Sequence, residues 1–270
     1  MPHPLAVVIP HHHRGDLLPR ALAAVEGWPR VVVDDGPAGR PSPALPEDVL
    51  LLRTAGDQGF ARAVNLGLHA AERELGAERV LLLNDDAVPQ PGCVEALLAA
   101  AGPGVGAVGP LLWGLQGLES AGITLSRWGR VRQITRVPPR LTAVGALSGA
   151  CLLVPAWARF DPDFPHGFED LALCRDLRAR GLRVLVQPAA RCLHVGGASL
   201  PRASRRAQRH AVAGHLRLVD GGWRGGVALG LALAQVLREG GPPDRLLGIA
   251  EGWRDWHNRT RAASPGPDHA

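Results

Sequence analysis

Val80-Leu81-Leu82-Leu83-Asn84-Asp85-Asp86 runs four apolar residues straight into one amide and two carboxylic acids. A short, wholly apolar run of this kind reads as a strand buried on both faces of a parallel sheet. The acids then stand at the strand's carboxyl end, the edge of an open α/β sheet where ligands bind. Adjacent carboxylates repel one another, and holding both at a buried strand end is costly without a cation. Oxygen ligands there suit Mg2+ or Mn2+, which also take phosphate oxygens and water. Alone, the dipeptide reads more simply as a turn, or as a cap on a helix starting near Pro91.

Working outward, residues 5–9, 31–33 and 49–52 are further short apolar strands, and 105–108 is another. Helical spacing of apolar residues covers 14–26, 59–74 and 91–101. Strands alternating with helices predict an α/β fold, a doubly wound and mostly parallel central sheet with helices on both faces. Residues 111–145 read as irregular chain with short strands, 149–154 as a strand, and 169–180 as a helix ended by Gly181. Strands at 183–186 and 191–194 follow, and from 203 the pattern is helical over 203–219, 226–238 and 243–258. The expected organisation is an α/β domain over 1–200, a helical C-terminal extension over 201–261 and a disordered tail over 262–270.

Three strand ends deliver polar groups to one edge of that sheet: Pro10-His11-His12-His13-Arg14, Asp34-Asp35 and Asn84-Asp85-Asp86. Bulk composition narrows what these groups meet. The net charge of +5, carried without a single lysine, suits phosphorylated substrates or an anionic membrane. It is too mild for nucleic acid, and no basic stretch is interleaved with aromatics. The four cysteines are widely spaced and set in apolar or helical sequence, which reads as buried thiols in a reducing compartment. No leader-like segment opens the chain, and the apolar stretch 227–237 is too short to span a bilayer. A cytoplasmic location is expected. Arg202, Arg205, Arg206, Arg209 and Arg217, beside apolar residues, would allow peripheral contact with the inner face of an anionic membrane, with a solvated basic face as the plainer reading.

Further motifs recur in order. Val7-Val-Ile-Pro10 opens the chain, and Val32-Val-Asp-Asp-Gly36 closes the second strand. Asp57-Gln-Gly-Phe-Ala-Arg-Ala-Val-Asn-Leu-Gly67 starts a helix, and Leu83-Asn-Asp-Asp-Ala87 carries the acids. Phe168-Glu-Asp-Leu-Ala-Leu-Cys-Arg175 and His194-Val-Gly-Gly-Ala-Ser199 come late. Together they resemble a family 2 glycosyltransferase of the GT-A fold, in the rhamnosyltransferase-like branch, over roughly residues 5–200. Asp57 stands where that family usually has Asn, and His11-His12-His13 where it has a Thr-Tyr-Asn-like run, so that imidazole would replace Tyr beneath the base.

The resemblance implies inverting transfer of a sugar from a nucleotide-diphosphate sugar donor to a hydroxyl on a glycan or lipid-linked acceptor. Pro10, His11, Arg14, Asp34, Asp35, Gly59, Arg62, Asn65, Asn84 and Asp85 fall at nucleotide-sugar-binding positions. Asp34 or Asp35 would accept hydrogen bonds from base or ribose, and Arg62, in the first turn of a helix, would reach a phosphate. Asp86, with Asp85 and His194, falls at the metal, Mn2+ or Mg2+. Asp170 falls at the base and Glu169 beside it, at a helix N-terminus that keeps carboxylates ionised. Each has a plainer reading: a turn at Asp34-Asp35, a cap at Glu169-Asp170, a structural His194. Trp113, Trp128 and Trp157 read as core, with stacking on sugar as the alternative. A sugar-1-phosphate nucleotidyltransferase would share the fold but needs a Gly-rich signature and an essential Lys that this chain lacks. A non-catalytic nucleotide-sugar or glycan-binding module would have no use for both acid pairs.

Overall fold

β-branched and Leu-rich runs fill both faces of a covered sheet, and each becomes a strand. In chain order the first compact unit carries β1 (Leu5–His11), α1 (Leu18–Ala24), β2 (Arg30–Asp34), β3 (Val49–Arg53), α2 (Phe60–Arg73), β4 (Arg79–Leu83), β5 (Ala87–Pro89) and α3 (Cys93–Ala100). It continues with β6 (Val105–Gly114), β7 (Gly117–Ser120), β8 (Ile123–Leu125), β9 (Val131–Gln133), β10 (Thr142–Ala143), β11 (Cys151–Pro155), α4 (Glu169–Ala179) and β12 (Arg183–His194). The computed structural model describes residues 4–12, 17–126, 130–164, 167–195, 204–239 and 243–263.

The sheet order is β10-β12-β6-β11-β4-β1-β2-β3. β1 lies parallel to β2 and β4, β2 parallel to β3, and β6 parallel to β12, while β11 runs antiparallel between β4 and β6. The doubly wound, mostly parallel α/β expectation therefore holds. Leu5, Ile9, Leu81, Leu83, Leu97, Val108 and Leu153 belong to the core packed on this sheet. α2 comes unusually close: a Cβ on Gly67 would overlap the side chains of Val8 and Val33. Only glycine admits that approach, and it fixes where the start of α2 sits above the strand ends.

Three expectations need adjusting. α1 covers 18–24 and ends before the expected 26, with no side-chain cap at Leu17 and a proline in its first turn, while 14–16 lie outside the described residues. β6 extends to Gly114, well past 108, because β7 folds back on it. The two strands expected at 183–186 and 191–194 are one, β12; Pro188 interrupts the ladder, and a register shift between Gln187 and Arg191 absorbs it.

The second unit, residues 126–130, 163–168 and 199–270, holds α5 (Arg205–Leu218), α6 (Gly222–Arg238) and α7 (Pro243–Ala263). Ser204 caps α5 by accepting from the Ala207 amide at 3.1 Å. Gly248 and Gly252 of α7 leave room for the α5 backbone at Arg205 and Arg209. α7 continues to Ala263, so the tail expected to begin at 262 does not begin there; residues 264–270 lie outside the described residues.

Three arginines of the expected basic face have acidic partners. Arg205 pairs with Glu251, Arg209 with Asp255 and Arg217 with Asp163, so these charges are answered inside the unit. Arg202 lies outside the described residues. α6 instead exposes Trp223, Val227, Leu233 and Leu237, and the helix contains no acidic residue. No described helix is long and apolar enough to cross a membrane.

Candidate active site

Asn84-Asp85-Asp86 forms the turn from β4 into β5, closed by the Ala87 amide donating to the Asn84 carbonyl at 3.1 Å. The capping alternative fails, since α3 begins after Gly92 in left-handed backbone with no side-chain cap. β5 pairs antiparallel with β12, placing Ala87 opposite His194, and the Val195 amide donates to the Asp86 carbonyl at 3.0 Å. The late histidine is thereby set beside the acid pair by sheet register.

Asp86 is buried, and its Oδ1 has no hydrogen-bond partner among the described residues. His194 Nε2 lies 3.5 Å from that oxygen, an ion-pair distance. The other ring nitrogen, Nδ1–H, donates to Glu119 Oε2 at 2.9 Å. Burial pulls the His194 imidazole down, but the neighbouring Asp86 and Glu119 carboxylates outweigh it and raise it to about 9. His11, also buried, donates from Nδ1–H to Asp85 Oδ2 at 2.7 Å. That bond ties the edge of the ring to Asp85. The Asn84 Oδ1 is a second buried oxygen with no partner among the described residues.

The donor set, carboxylate oxygens with one imidazole nitrogen, fits Mn2+ somewhat better than Mg2+. An orphaned buried carboxylate oxygen is costly, and a divalent cation would remove that cost. No group of three or more such side chains encloses a cation among the described residues. The arrangement matches ions held by one or two carboxylates, with phosphate oxygens and water completing the shell.

Asp34-Asp35 looks alike in sequence and is built differently. Asp34 accepts from the Gly36 amide at 3.0 Å and from the Arg53 guanidinium at 3.0 Å. Asp35 accepts from the Thr54 hydroxyl, from the Gln58 amide at 2.9 Å and from the Gly59 amide at 2.8 Å. It ties the loop before α2 to β2 and leaves Gly59, at φ 88°, in a conformation that glycine tolerates. Beyond Gly59, Arg62 is exposed in the first turn of α2 with no ion-pair partner among the described residues. His12 bonds to Asp57 at 2.7 Å at the rim of this loop.

Asn65 is the clearest miss. Its amide donates to the Phe160 carbonyl and accepts from the Phe160 amide, both at 2.8 Å, so both ends clamp backbone and neither faces a ligand. Pro10 is a half-buried β1 residue. Arg14, His13, Trp128 and the 196–199 part of the late motif lie outside the described residues. Trp113 is half-buried near Arg191 and Trp157 is exposed near Arg180.

Glu169 and Asp170 open α4, Glu169 buried and Asp170 half-buried. Phe168, just before them, has φ 72°, an unusual backbone for a bulky residue and of the kind that gathers at functional sites. Asp170 accepts from the Gly149 amide at 2.9 Å and from the Leu171 amide at 2.8 Å. Burial raises its carboxyl above the usual range, partly offset by those amides. One loop links Asp170 and the acid pair: Gly149 donates to Asp170, while the Ala150 carbonyl accepts from the Asn84 amide at 2.9 Å. Nothing in sequence spacing marks Gly149, Arg53 or Glu119 as part of this arrangement. The cysteines take no part. All four are buried, and burial pushes the Cys174 thiol up to about 12.

The family described as "Glycosyltransferase like family 2" matches residues 43–213, more than half of the chain. The chain belongs to that family. Among solved structures, this family 2 chain is similar to GalNAc-T7 with UDP, GalNAc and Mn2+, at TM-score 0.62 and 16% identity, over 80% of this chain and 47% of that one. It thus spans about half of the GalNAc-T7 chain. It is also similar to the mannosyltransferase PcManGT from Pyrobaculum calidifontis in complex with GDP-Man and Mn2+, at TM-score 0.57 and 18% identity, over 96% of this chain and 82% of that one. These likenesses show the GT-A fold. No curated protein sequence matches the chain.

Proposed function

We propose that the protein transfers a hexosyl or rhamnosyl group from a nucleoside-diphosphate sugar to a hydroxyl of a glycan or lipid-linked acceptor, with inversion, on the cytoplasmic side. The observation that carries the reading is the orphaned Asp86 Oδ1 facing His194, just beyond β4 and inside the stretch matched to family 2. Asp86, His194 and Asp85 would hold the divalent cation, which when bound neutralises the diphosphate and the charge developing on it. Asp34 with Arg53 meets the nucleoside; Arg62 and the α2 N-terminus meet phosphate. Asp35 and Gly59 shape that loop. Asn84 contributes its open amide oxygen, and Asn65 is left out.

Asp170 removes the acceptor proton. Its raised carboxyl makes it a better proton acceptor than an ordinary aspartate, and two backbone amides fix its direction. Glu169 lies beside it at the α4 start. A turnover assay with UDP- and GDP-linked sugars tests the reading. Donor hydrolysis or transfer that needs Mn2+ supports it, whereas nucleotide binding without any turnover favours the binding module.

We also propose that α6 rests on an anionic bilayer. Trp223, Leu233 and Leu237 are exposed along a helix without acids, with Arg224 and Arg238 near its two ends. Co-sedimentation with phosphatidylglycerol vesicles, lost in a Trp223→Ser, Leu237→Ser variant, supports this. Concentration-dependent dimerisation abolished by the same variant assigns the face to a second copy instead.

A further inference from the structure

We propose that Glu119 is a positioning residue for the metal centre: its carboxylate fixes the His194 ring so that Nε2 faces Asp86. The inference rests on the metal reading above and adds to it a residue that lies outside every motif of the sequence.

The β6–β7 hairpin brings Glu119 to the ring by an irregularity. Leu112 pairs with Ser120, but Trp113 pairs with Leu118, leaving Glu119 as the extra residue of a bulge. A bulge adds one residue to a strand and re-aims its side chain out of the regular alternation. On the opposite edge of β6, Trp113 pairs with Leu193 of β12, the neighbour of His194. β6 therefore lies between the two, and its small terminal residue, Gly114, leaves the space across it open. A Cβ at Gly114 would stand 3.6 Å from Glu119 Oε2 and 3.8 Å from the His194 carbonyl. Across that gap the ring donates from Nδ1–H to Glu119 at 2.9 Å.

The chemistry follows from the tautomer. An imidazole that donates from Nδ1 to a carboxylate keeps Nε2 as its ligating nitrogen and gains basicity there. Both effects would favour a cation held by His194 and Asp86. Without Glu119 the ring is free to rotate or to exchange tautomers, and the nitrogen facing Asp86 is no longer fixed.

Mn2+ uptake by the full chain, followed through loss of the free-ion paramagnetic resonance signal, tests the proposal without any turnover. Glu119→Thr keeps a strand-forming residue but is too short to reach the ring. It is expected to weaken Mn2+ binding roughly 10- to 100-fold while the melting temperature without metal stays at the wild-type value. In a His194→Ala background the same change is expected to add nothing, because the residue it acts through is gone. Wild-type Mn2+ affinity in Glu119→Thr, or an equal loss with and without His194, overturns the proposal. Should Glu119→Thr not fold, Glu119→Ala takes its place under the same two criteria. If Glu119→Thr binds Mn2+ like the wild type, only the role of Glu119 falls. If the wild-type chain takes up no Mn2+, the metal reading falls and this inference falls with it.

Discussion

Asp34-Asp35 and Asp85-Asp86 are the same dipeptide after the same kind of strand, on one edge of the sheet at either side of β1. Their surroundings differ. The first pair is answered by five donors of the chain itself: the Gly36, Gln58 and Gly59 amides, the Thr54 hydroxyl and the Arg53 guanidinium. The second pair has His11 on Asp85 and, for Asp86 Oδ1, only an imidazole at 3.5 Å. A carboxylate saturated by backbone amides organises the fold. One left short of donors in a buried place raises the energy of the ligand-free state, and a cation lowers it again.

The Glu169-Asp170 pair lies between these extremes, bonded to two amides yet raised by burial, and gives the largest expected effect. Asp170→Asn keeps size and one of the two amide bonds, since its amide nitrogen cannot accept, and removes the proposed base; a positioned base contributes roughly 10²–10⁴-fold in rate. Transfer should fall by that factor while donor affinity, measured by calorimetry, stays near the wild-type value. Wild-type transfer rates in the variant move the base elsewhere, with Glu169 next in line.

Asp35→Ala sharpens the contrast through stability. It removes the acceptor of the part-exposed Gln58 and Gly59 amides, and a hydrogen bond to a charged group contributes about 1.5–3 kcal/mol. Urea denaturation should show a loss of roughly 2–5 kcal/mol. Asp86→Ala should cost far less, since it orphans no backbone donor. Equal losses in the two variants would erase the distinction between the pairs. Gly67→Ala probes the scaffold beneath both: overpacking α2 on Val8 and Val33 should cost about 1–3 kcal/mol.

The smallest effect is pH-dependent. Burial raises Asp170 in the folded state, so folding favours its protonated form. Its contribution is full below the ordinary carboxylate range and is lost as pH rises through the raised value. Denaturation curves across that window should show the decline in the wild type and lose it in Asp170→Asn. A decline that persists in Asp170→Asn assigns the titration to another group.

Much of this was legible in the chain. Apolar runs marked the strands β1, β2, β3 and β4, and the acids that follow β2 and β4 marked the ligand edge. What separates the two acid pairs was not legible, because the deciding partners come from far along the chain. Arg53 reaches Asp34 from the neighbouring strand β3, Gly59 reaches Asp35 from the loop before α2, and Glu119 reaches His194 through a bulge that leaves no spacing signal. Asn65 misled for the same reason: its motif position suggested a ligand, and only the fold shows the Phe160 backbone filling both ends of its amide.

The central claim, that Asp86 awaits a cation shared with a nucleoside diphosphate, is tested most directly by thermal shift with UDP and GDP, each with and without Mn2+. A ligand that binds only the folded state raises its melting temperature by mass action. For the wild type the account predicts a rise with nucleotide and Mn2+ together that neither gives alone. Asp86→Ala should melt near the wild-type temperature without ligands and show no Mn2+-dependent rise. A folded Asp86→Ala protein that keeps the full Mn2+-dependent shift would contradict the account.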